Sequence, residues 1–65
     1  MHKAELADAV WTVQEQLGVN EWKDALSGRG KDEIKLLAKR VLPGYTERQI
    51  KQIATALWRK ANADG

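Results

Sequence analysis

The chain has 65 residues, 11 Lys and Arg against 9 Asp and Glu, and no Cys. That length holds one domain, residues 1–65, around one small core, and without Cys neither a disulfide framework nor a thiolate metal site can staple it. Such a chain depends on well-packed helices or on a partner, and no apolar run approaches the ~18 residues of a membrane span.

No positive-then-apolar start marks a signal peptide, so the expected compartment is cytoplasmic, with no membrane partner. Charge is uneven along the chain. Residues 1–28 carry two basic and five acidic side chains, whereas residues 29–65 carry nine basic and four acidic ones. The basic second half points to a polyanionic partner, against the alternative of uneven charge kept for solubility.

Residues 3–17 place Leu6, Val10, Val13 and Leu17 on one stripe at helical spacing, and Gly18 is a natural stop. Trp11 falls off that stripe, about 140° round from Leu6, on a flank shared with Ala4 and Ala7. Residues 20–27 read as a short second helix with Asn20 as N-cap and Trp22, Ala25 and Leu26 on its apolar side. Gly28-Arg29-Gly30 then favours a loop.

Residues 31–42 return to helical spacing. Ile34, Leu37, Ala38 and Val41 form the expected buried stripe, while Lys35 and Lys39 share an outer face. Pro43-Gly44 ends this helix, since Pro biases its predecessor away from helix and Gly accepts positive φ. The fold class expected is all-α: a bundle of three longer helices and one short one, with Leu6, Val10, Val13, Leu17, Leu26, Ile34, Leu37, Val41, Ile50, Ile53 and Leu57 as core.

The final helix, expected over 46–62, has the best-marked start. Thr46 and Gln49 fit a capping box, and Tyr45 and Ile50 have the spacing of a hydrophobic staple. Ile50, Ile53, Ala54, Leu57 and Ala61 share one side. Arg48, Lys51, Gln52, Thr55, Arg59 and Asn62 share the other, with no acid among them. Arg and Lys suit phosphates and guanine edges, Gln and Asn suit adenine edges, and Thr suits either phosphate or base. This face is the candidate nucleic-acid contact. Lys35, Lys39 and Arg29 are the expected contacts to the phosphate backbone.

A helix, a short connection and a second helix over residues 31–62 resemble a helix-turn-helix. Thr46-Glu47-Arg48-Gln49-Ile50-Lys51 is similar to the start of the recognition helix in homeodomain proteins. The resemblance implies a DNA-binding regulatory protein that reads duplex DNA with this helix. Where that family carries an aromatic pair and an adenine-reading Asn, this chain has Ile53, Ala54 and Ala56. The family's basic arm has no counterpart in the acidic first half.

Other classes fit less well. With one His beside Met1, one Ser and no Cys, the sequence offers no catalytic constellation, cofactor motif or small-molecule substrate site. Gly28-Arg29-Gly30 can bind an anion through exposed backbone N–H groups, although a flexible connection explains it more simply. The rival function is a protein-interaction module or a homodimer, with Trp11 and Trp22 near the interface. Three Trp in so short a chain is a high count, and Trp58, at the edge of the final apolar face, is expected to be half-buried core.

Overall fold

In the computed structural model, which describes residues 1–63, four helices follow one another: α1 (Lys3–Leu17), α2 (Trp22–Leu26), α3 (Lys31–Val41) and α4 (Glu47–Ala61). No strand occurs among the described residues. The expected single domain extends to residue 65; residues 64 and 65 lie outside the described ones.

Each helix end has a local cause. At α1 the His2 ring accepts a hydrogen bond from the Ala4 N–H at 3.3 Å, so this His is a cap. Gly18 ends α1 at φ 108°, a conformation that costs a side-chain-bearing residue but not glycine. Its carbonyl then accepts the N–H groups of Glu21 (3.1 Å) and Trp22 (2.9 Å). Here the expected Asn20 cap is corrected: Glu21 is the N-cap of α2 and makes no side-chain cap bond. Backbone already satisfies those first donors, so no Asn oxygen is needed there.

α3 begins at Gly30 without a side-chain cap but places Asp32 and Glu33 in its first turn and Lys39 and Arg40 in its last. That order complements the helix dipole at both ends. α4 has the expected capping box. The Gln49 N–H donates to Thr46 Oγ1 at 3.2 Å, and the Thr46 N–H donates to Gln49 Oε1 at 2.9 Å. Tyr45, just before the cap, is half-buried against the core cluster that contains Ile50. We expect Thr46→Ala to destabilise the chain by about 1 kcal/mol, through lost satisfaction of first-turn N–H groups. A shifted urea midpoint at unchanged m-value is the check.

α4 is the central element and packs against each of the other three helices. The core comprises Ala9, Val10, Val13, Leu26, Ile34, Ala38, Leu42, Ile50, Ile53, Ala54 and Leu57, all buried. Seven of these belong to the expected core. Leu6, Leu17, Leu37 and Val41 are corrected to half-buried flanks that pack against it. Leu6 and Leu17 lie near the two ends of α1, where the bundle no longer covers them. On α3 the buried line is Ile34, Ala38 and Leu42. The whole helix is therefore turned by about half a side-chain width towards Lys35, leaving Leu37 and Val41 at the edge.

Candidate nucleic-acid interface

The outer face of α4 is open over most of its length. Arg48, Lys51, Gln52, Arg59 and Asn62 are exposed and Thr55 is half-buried. Two shallow depressions border it. One lies towards α1 and is lined by Leu6, Gln52, Ala56 and Arg59 as well as Lys51 and Thr55. The other lies towards α3, where Lys31, Asp32 and Lys35 meet the same Lys51 and Thr55. Lys51 and Thr55 thus form a ridge between two hollows.

The hydrogen bonds of this face set what it can offer a ligand. Thr55 Oγ1 donates to the Lys51 carbonyl at 2.9 Å, which leaves its lone pairs for an incoming donor. Asn62 Nδ2 donates to the Trp58 carbonyl at 2.7 Å, so this side chain serves the C-terminal end of α4 and keeps only part of its amide free. Arg48, Lys51 and Arg59 take part in no ion pair among the described residues. All five guanidinium donors of each Arg are available to anions.

The three cations placed outside α4 are differently situated. Arg29 donates from Nε to the Ala25 carbonyl at 2.8 Å and from one terminal nitrogen to Glu33 at 3.0 Å. The Gly28-Arg29-Gly30 loop is thereby tied to both α2 and α3. Lys35 and Lys39 both reach across the α3–α4 turn to Glu47, at 3.7 and 3.0 Å. The Lys39 hydrogen bond, and then the Lys35 charge, hold the Glu47 carboxyl below its ordinary value of 4.5. Because the folded-state pKa is lowered, this stabilisation is complete above about 4.5 and is lost as pH falls through the lower folded value. Glu47 is exposed, so the effect on stability is small. Its effect on charge is larger, since one carboxylate at the start of α4 occupies two ammonium groups.

The tryptophans divide in the same way. Trp22 is half-buried against the core, with the Lys60 and Lys23 ammonium groups 5.8 and 5.9 Å from its ring centre. Trp58 also packs on the core and carries Lys31 at 4.7 Å over its ring, which accounts for its edge position on α4. Trp11 is 50% exposed. Two features are absent from the sequence reading. Leu36 is 70% exposed on the outer side of α3, and Gln14 is 3% exposed inside α1. Leu36 was predictable from periodicity alone, because it lies opposite the Ile34–Ala38 line.

Compared with protein-family models, curated proteins and solved structures, the chain matches none. Among the described residues no group of His, Asp and Glu is placed to hold a metal ion. Among the same residues no helix is long and apolar enough to cross a membrane.

Proposed function

We propose that the chain is a small DNA-binding regulatory protein that lays the outer face of α4 against duplex DNA. The observation that carries this reading is the acid-free ridge of Arg48, Lys51, Gln52, Thr55 and Arg59, whose three cations have no anion partner among the described residues. An ordinary solvated helix face interleaves Glu with its Lys and Arg and neutralises them at i, i+4. Here Glu47 is the only acid of α4, and it is turned to α3. The helix-turn-helix-like order of α3, residues 42–46 and α4 supports the same reading, because a second helix that keeps one long face exposed can present that face to a major groove.

Within this reading Lys51 and Arg59 neutralise phosphates, while Arg48, Gln52 and Thr55 lie where base edges would be met. Lys35 and Lys39 form a reserve that Glu47 holds. Glu47→Gln should therefore raise affinity for duplex DNA, by roughly eightfold at about 0.1 M salt for each Lys that then takes a phosphate. The check is a fluorescence-anisotropy titration of the parent and the variant at several salt concentrations. Unchanged affinity and slope in the variant would remove Lys35 and Lys39 from the interface. The reading as a whole is tested by adding generic duplex DNA to the isotopically labelled chain at low salt. Amides of residues 46–62 should move; if none does, the DNA reading falls.

A further inference from the structure

A second surface lies beside the α4 ridge, on the other side of Leu6, and differs from it in chemistry. Here α1 and the Ala56–Lys60 turn of α4 enclose a shallow groove. Its floor is apolar, made by Leu6, Ala7, Val10 and Ala56, and the exposed ring of Trp11 stands at its edge. Among the described residues no carboxylate lines it, and its charged residues are Lys3 and Lys60. Lys60 lies over the Trp22 ring and Lys3 has no ion pair among the described residues.

Gln14 is the second, independent feature. It lines the same groove, is 3% exposed, and its Nε2 has no hydrogen-bond partner among the described residues. A buried amide donor without an acceptor is costly, and natural cores rarely keep one without a use. Leu or Met would fill this position, one turn on from Val10, without that cost. The groove thus presents two ammonium groups and one unsatisfied amide N–H over an apolar floor.

We propose that this groove binds an acidic peptide segment of a partner protein. One apolar side chain of the peptide would pack on Ala7 and Ala56 against Trp11. A neighbouring carboxylate would lie between Lys3 and Lys60, and a carbonyl or carboxylate oxygen would accept from Gln14. Charge complementarity selects this occupant over a second copy of the chain. A twofold contact sets the same patch on both sides, and here it would oppose Lys3 and Lys60 to their own counterparts. Duplex DNA offers the anions but no apolar side chain for the floor. This inference does not depend on the DNA reading, since the two surfaces use different residues apart from Leu6 and Ala56 at their border.

The probe is a synthetic peptide with Leu or Phe at every third or fourth position and Asp or Glu elsewhere, titrated into the full labelled chain. Amides of residues 3–14 and 56–60 and the Trp11 indole N–H should shift together. Trp11→Ala should weaken binding at least tenfold while leaving the melting temperature near that of the parent. Gln14→Leu separates the proposal from a packing role: it should weaken binding severalfold while making the fold at least as stable. The same peptide with Asn and Gln for Asp and Glu should not bind. Four outcomes would overturn the proposal. They are no shift at millimolar peptide, equal binding of the neutral peptide, parental binding by Gln14→Leu, and tighter occupation of these residues by a single-stranded oligothymidylate. A dimer that shields Trp11 at the same concentrations would assign the groove to a second copy instead.

Discussion

Leu57→Ala should come close to unfolding the protein. Leu57 is fully buried in the middle of α4, among Val13, Leu26, Ile34, Ile50 and Ile53. Replacing it removes buried methyl groups and leaves a cavity that close-packed neighbours can only partly fill, at a cost of about 2–5 kcal/mol. A domain of this length has a total stability of roughly 3–10 kcal/mol, so the loss takes much of it. Leu37→Ala is the internal control. Leu37 is only half-buried on α3, and its truncation should cost clearly less. Thermal melts of the two variants give the comparison directly. Equal melting temperatures would contradict the core described above.

The second large effect is on affinity. The Lys51→Ala/Arg59→Ala double variant should bind duplex DNA roughly 60-fold more weakly at about 0.1 M salt, and its salt slope should fall by about 1.8. Both side chains are exposed and have no ion pair among the described residues, so the fold should be unaffected. If Lys51 and Arg59 touch only phosphates, the loss is uniform over sequences. A variant at Arg48, Gln52 or Thr55 that relaxes preference at one base pair would instead mark a base contact. Binding curves for the double variant that overlay those of the parent would remove the ridge from the interface.

Much of the architecture was legible because it is local. The capping box at Thr46, the glycine stop at Gly18 and the apolar stripes of α1 and α4 depend on residues within a few positions of one another. What failed depends on depth and on tertiary partners. Periodicity gives the direction of a helix face but not how far along it the bundle reaches, so Leu6 and Leu17 were placed too deep. Ala9, Ala38 and Ala54 are buried because helices approach most closely where side chains are small. The short α2 needed no Asn cap because a glycine carbonyl four residues back was already in position. For the candidate interface, the composition of the α4 face was readable, but the capture of Lys35 and Lys39 by Glu47 was not. That contact joins two helices across a turn, and only the three-dimensional arrangement brings the three charges together.

The central position of α4 also bears on how the chain acquires its fold during synthesis. α4 supplies Ile50, Ile53, Ala54 and Leu57 to the core and contacts every other helix, and it is the last of the four to be made. While residues 1–45 are emerging from the ribosome, α1, α2 and α3 can pack only on one another and lack the helix that covers much of their apolar faces. Isolated helices of this length are marginal in water, so the nascent segment remains unstructured and open to chaperones and proteases. Folding then becomes a single late event, and a stop codon anywhere before Leu57 removes the whole domain and not merely its end.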